Sequence, residues 1–198
     1  MSDINQGWKV RITNDSSNPA SVTGTVNISD GGSAITVDGK AYRSTVTVTR
    51  PSNTTAYTAG DVVGGTGGSA IITLSNIGPS GGYVLIQSVS LVFSDTSVPS
   101  GMGAFRLHLY SATPNAIADN APFDLMSGER ANYMGYIDLS APLDFGSSLY
   151  TQTDYAGRLV KLASASTTLY AELETRGAYT PASASTIDIR VATLEASL

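Results

Sequence analysis

Residues 44–50 read STVTVTR, and their alternation decides what kind of protein this is. Val46 and Val48 face one way and Thr45, Thr47 and Thr49 the other, because successive side chains of an extended strand point to opposite faces of a sheet. The same period of two recurs in TIDIRVAT (186–193), where Ile187, Ile189 and Val191 alternate with Asp188, Arg190 and Ala192. It recurs again in LYAELET (169–175), where Leu169, Ala171 and Leu173 alternate with Tyr170, Glu172 and Glu174. One apolar row and one polar row is the pattern of an antiparallel sheet with a wet side. No stretch of helical length combines a cap with apolar residues at i, i+3, i+4 and i+7.

Working outward, AIITL (70–74) and YVLIQSVSLVF (83–93) are more continuously apolar and belong to the middle of a sandwich, where both faces are partly covered. Turn formers separate the strands: NIGPSGG (76–82), VPSGMG (98–103) and SATPNAIADNAP (111–122). About eight strands after residue 44 point to a β-sandwich or a jelly roll, between which spacing alone does not choose. In TVTVTRPSNTTAYTAGDVVG (45–64) Pro51, which cannot donate to a ladder, ends one strand, and Asp61 to Val63 begin the next. The first 43 residues differ, with short candidate strands WKVRIT and VTGTVNI followed by the glycine-rich SDGGSAITVDGKAY. Such a segment offers little core of its own and suits an arm ordered against a partner. The expected division is therefore an arm over 1–43 and a body over 44–198.

Composition bounds the function. Hydrophobic residues make up 41% of the 198 and charged residues only 14%, against roughly 25% in ordinary globular chains, so Ser and Thr must supply the polar surface. The net charge of -5 disfavours both nucleic acid, whose phosphates need clustered Lys and Arg, and anionic membranes. With no cysteine, disulfides, thiolate metal sites and a cysteine nucleophile are all excluded. MSDINQGWKV has neither a basic nor an apolar leader region, so synthesis and use in the cytoplasm are expected, with release by lysis.

Few residues suggest chemistry. GGTGGSA (64–70) has the glycine spacing of a dinucleotide fingerprint, but IITL and then Pro79 follow where a helix N-terminus is needed, so a hairpin loop is expected. The single histidine, His108 in FRLHLY, sits on the outward row with Arg106 and Tyr110, and no GxSxG elbow accompanies it. It is expected at the surface or an interface. Asp119, Asn120 and Asp124 offer oxygens without the spacing of a calcium loop, and turn chemistry explains them. The acid pairs Asp138/Asp144 and Glu172/Glu174 could in principle serve glycoside cleavage, but the latter is expected on a solvated strand face. Ten tyrosines against one tryptophan suit subunit interfaces, sugar platforms or a sandwich core alike.

SDGGSAITVDG (29–39) resembles a segment recurring near the N-termini of tailed-bacteriophage virion proteins. TVTVTRPSNTTAYTAGDVVG is similar to a second block of such proteins, and FRLHLYSATPNAIADNAPFDL, YMGYIDL and TLYAELETRGAYTPASAST to their continuation. The resemblance implies a structural protein without catalysis or cofactor: a head decoration or cement protein, a head fibre or a tail adaptor. The chain is thus expected to be an all-β, jelly-roll-like antiparallel β-sandwich with an extended N-terminal arm. It would self-associate as a dimer or trimer and bind the major capsid protein or another virion protein at the head surface. No catalytic, cofactor or metal residue is assigned. The expected interface residues are Trp8, Val10 and Ile12 in the arm and Tyr110, Tyr155 and Tyr179 in the body. The alternative is a tail-fibre module holding a host glycan, with those three tyrosines as suspects; a polysaccharide hydrolase is weaker, for want of an acid/base arrangement.

Overall fold

A computed structural model describes residues 40–65 and 70–196. Ten strands form within them: β1 (Ala41–Thr49), β2 (Val62–Val63), β3 (Ile72–Leu74), β4 (Tyr83–Phe93), β5 (Phe105–Tyr110), β6 (Tyr133–Leu139), β7 (Leu143–Asp144), β8 (Leu149–Lys161), β9 (Leu169–Thr175) and β10 (Thr186–Ala196). The two alternating stretches of lowest ambiguity, 44–50 and 186–193, pair with each other, Val46 opposite Ile189 and Val48 opposite Ile187.

All strand pairs are antiparallel and they nest. β1 lies on β10, β2 and β3 on β9, β4 on β8, and β5 on β6. The chain is therefore one long hairpin whose tip is the loop between β5 and β6. Rolling that hairpin brings β10 onto β4 and β9 onto β5. Two sheets result, β1-β10-β4-β8-β7 and β2-β9-β5-β6 with β3 also on β9. This strand order is a jelly roll, and it answers the choice that spacing left open.

The inner faces fill one core. Leu107, Leu109, Leu173 and Leu74 of the second sheet meet Leu91, Val89, Ile189 and Ile187 of the first. In β4 the inward residues are Val84 and Ile86, then Val89, Leu91 and Phe93. That change from even to odd positions is accomplished by a bulge in the pairing with β10, where Ile86 and Ser88 stand opposite the consecutive residues Thr193 and Ala192, so that β4 carries one extra residue and turns over. Tyr57, Tyr179, Phe105 and Phe93 make a chain of ring contacts with centroids 5.2–6.2 Å apart, which plugs one end of the roll. At that end the loops after β4 and β9 touch backbone to backbone. A Cβ on Gly101 (φ +82) would lie 2.1 Å from the Ala178 carbonyl oxygen, so only glycine fits.

β1 begins at Ala41, paired with Leu194, so residues 41–43 belong to the sheet and not to an arm. The compact unit runs from Gly39 to Leu198. The expected arm anchors Trp8, Val10 and Ile12 lie outside the described residues.

Candidate functional site

Ionisable residues concentrate on the outer face of the second sheet, and the β5–β6 loop covers them. Register sets the layout: Arg106 stands opposite both Glu174 and Asp138, and His108 opposite Glu172 and Tyr136. Arg106 donates to both carboxylate oxygens of Asp138, at 2.7 and 3.2 Å, and its guanidinium lies 3.8 Å from the Tyr136 ring centroid. The hydrogen bond from Arg106 holds the Asp138 carboxyl below its usual pKa.

His108 is buried. Its Nε2 lies 2.9 Å from Glu174 Oε2 and its Nδ1 2.9 Å from the Tyr133 hydroxyl, while Phe123 stacks on its ring. Burial pushes its pKa below the ordinary value, the Glu174 carboxylate pulling the other way. A neutral imidazole has one donor and one acceptor, so Nε2–H donates to Glu174 and Nδ1 accepts from Tyr133. Glu174 accepts a second bond, from Arg176 at 2.7 Å. One turn of sheet away Glu172 is completely buried. The Tyr110 hydroxyl donates to its Oε2 at 3.1 Å, and Oε1 finds no hydrogen-bond partner among the described residues. Burial first, and the charge of Glu129 second, push the Glu172 carboxyl up to about 7, so it keeps its proton where an exposed glutamate loses it.

The loop is tied down at its middle. The Asn120 and Phe123 amides donate to the Val62 and Gly60 carbonyls at 3.0 and 2.8 Å, and the Val62 amide to Ala121 at 2.8 Å. Asp119 accepts from the Tyr57 hydroxyl at 2.5 Å and the Gly64 amide at 2.9 Å, and pairs with the buried Arg50 at 3.4 Å. Arg50 also donates to Tyr57 at 2.6 Å and to the Ala182 carbonyl at 3.2 Å. Asn120 takes the left-handed conformation, φ +63, which its short polar side chain tolerates.

Several expectations change. His108 is not at the surface, and Glu172 and Glu174 are not a solvated strand face: both rows point away from the core, as the alternation says, but into the space under the loop. Tyr110 is fully buried against Glu172, and Tyr179 belongs to the ring chain in the core, so neither presents a surface to a partner or a sugar. The Tyr155 side chain lies outside the described residues. Asp119 serves Arg50, Tyr57 and Gly64, whereas Asp124 is exposed, so they do not form one oxygen cluster. Asp138 binds Arg106 and Asp144 caps the Gly146 amide at 2.7 Å, two separate tasks. The residues that sequence reasoning passed over are Arg50, Glu129 and Phe123. The signal for the loop was present in Ile117 and Phe123, apolar residues set among turn formers.

No family profile and no curated protein sequence matches the chain. Among solved structures it is similar to a chain of the full particle of Israeli acute paralysis virus heated to 63 degrees, at 14% identity, covering 98% of this chain and 95% of that one, TM-score 0.30. It is similar also to a chain of the empty head of turnip yellow mosaic virus, at 9% identity, covering 90% and 91%, TM-score 0.28. A crystal structure of Israel acute paralysis virus gives 16% identity, 88% and 80% coverage, TM-score 0.28. Scores at this level do not align strands one to one, so the fold assignment stands on the strand order itself.

Proposed function

We propose that this chain is a non-enzymatic structural protein of a virus particle, of the tailed-bacteriophage kind that its sequence blocks resemble, and specifically a decoration or cement protein of the head surface. The observation that carries the proposal is the nested jelly-roll order, an architecture used in viral shells among other settings. The internal chemistry agrees with it. His108 and Glu174 join β5 to β9, and Arg50 with Asp119 ties the end of β1 to the β5–β6 loop, so these groups serve as supports. β1 is an edge strand of nine residues without proline, the kind of edge to which a further strand adds. The arm, with Trp8, Val10 and Ile12, adds to such an edge on the capsid or on a neighbouring copy, and copies gather as dimers or trimers on local symmetry axes.

Immunogold labelling of intact particles tests the assignment. Label distributed over the whole head is the expected result, whereas label at the tail tip would replace cement by a receptor-binding role, and no label on any particle would end the proposal. The receptor-binding reading has one observation in its favour, a depression on the first sheet.

A further inference from the structure

The outer face of the first sheet carries a depression whose walls differ in chemistry. Register builds it: Arg43 of β1 stands opposite Ala192 of β10, which stands opposite Ser88 of β4, and in the next row Arg190 stands opposite Ser90, which stands opposite Gln152 of β8. Small side chains in the middle strands make the floor, and Arg43 on β1 and Gln152 on β8 make walls about 14 Å apart, three strand spacings, with Arg190 of β10 between them. The enclosed volume is ≈ 230 Å³, below the roughly 300–1,000 Å³ of drug-sized sites and suited to a single ring.

One wall is cationic. Arg43 is exposed and makes no ion pair or side-chain hydrogen bond among the described residues, while Arg190 is tied to Asp188 at 3.1 Å. The other wall is preset: Tyr150 donates to Gln152 Oε1, and Gln152 donates onward to Asp154 at 2.6 Å. Beyond Tyr150 the β7–β8 hairpin adds the exposed Phe145, whose ring stands edge-on to Tyr150 at 5.8 Å.

We propose that this depression binds a sugar ring bearing one carboxylate, such as a uronic acid unit of an acidic surface polysaccharide. Arg43 takes the carboxylate by a charge-assisted hydrogen bond. Ser88, Ser90 and Gln152 meet hydroxyls, and Tyr150 with Phe145 offers an aromatic rim to the apolar face of the ring. An acidic peptide fits less well, because its further carboxylates would reach past the lining to Asp154 and Asp188, the partners of Gln152 and Arg190, on a chain whose net charge is already -5. The site does not depend on where in a particle the protein sits.

Titration of the full chain, followed by calorimetry or saturation-transfer NMR, decides the matter with three probes: methyl glucuronide, methyl glucoside and a blocked glutamate dipeptide. The glucuronide is expected to bind in the range of about 1 mM, and the glucoside, which lacks only the carboxylate, about 10- to 100-fold more weakly. Arg43→Ala should weaken the glucuronide by the same factor while leaving the glucoside and the melting temperature unchanged, and Ser90→Leu, which fills the floor, should abolish both. Equal affinity for the two sugars, an unaffected Arg43→Ala variant, preference for the dipeptide, or no binding of glucuronide at about 50-fold above that concentration would each overturn the proposal.

Discussion

The imidazole of His108 lies flat on the phenyl ring of Phe123, centroids 3.6 Å apart and planes within 12°. Phe123 is the only aromatic residue between Tyr110 and Tyr133, so this stack is where the cover loop meets the strand it covers. Both partners gain: the ring of Phe123 leaves water, and His108 is kept dry enough to stay neutral.

Replacing Phe123 by Ala therefore has two linked effects. Stability to urea should fall by about 2 kcal/mol, less than for a fully buried phenylalanine because Phe123 is only half buried. The imidazole resonances of His108 should titrate at higher pH than in the parent, since burial is the main cause of its lowered pKa. A titration midpoint that stays put would show that the loop does not depend on the stack.

Glu172 and His108 bias stability in opposite directions with pH. A carboxyl raised to about 7 in the fold from 4.5 in the unfolded chain favours the folded state fully below pH 4.5 and loses that contribution as pH rises through 7. His108, lowered below 6.5, contributes above 6.5 and loses its contribution as pH falls. Glu172→Gln removes the first term alone. Compared with the parent, the variant should gain on the order of 2–3 kcal/mol between pH 4.5 and 8, seen as a rising difference in melting temperature. A difference that is flat with pH would mean that Glu172 is ionised throughout.

Arg50 and Asp119 form a buried pair whose halves need each other. Asp119→Ala strands the Arg50 guanidinium, and the Tyr57 hydroxyl and the Gly64 amide lose their acceptor. The cost should be about 3–5 kcal/mol by chemical denaturation. Arg50→Met with Asp119→Leu replaces the pair by apolar groups and should recover most of that loss. If the single variant matches the parent, the pair does not hold the loop.

Deleting residues 2–38 should leave the melting temperature of the body unchanged, because the compact unit starts at Gly39. Incorporation into particles should drop to background. Full occupancy by the truncated chain, measured by quantitative mass spectrometry, would assign attachment to the body alone.

Much of the fold is legible in the residues because alternation is a local property. STVTVTR and TIDIRVAT declare their faces, whereas the bulge in β4 is hidden in YVLIQSVSLVF, where Leu85 and Val92 are apolar on the outer side and blur the change from even to odd inward positions. What alternation reports is the side of the sheet, and not what lies on that side. The pattern therefore places His108, Tyr110, Glu172 and Glu174 away from the core, but water for the two glutamates, a surface or interface for His108 and a partner or sugar for Tyr110 are all wrong, since a loop distant in sequence from β9 covers them. The depression between Arg43 and Gln152 is less accessible still. It exists only when four strands lie in register, and no two of its walls are neighbours in the chain.

The most direct test of a structural role in a particle is a cryo-electron density map of the virus particles recovered from the source that encodes this chain. The account predicts symmetric density on the head surface into which the β1-β10-β4-β8 and β2-β9-β5-β6 sheets can be traced, with the segment before Gly39 running onto a neighbouring subunit. A complete particle whose density has no room for this roll at any position would contradict it.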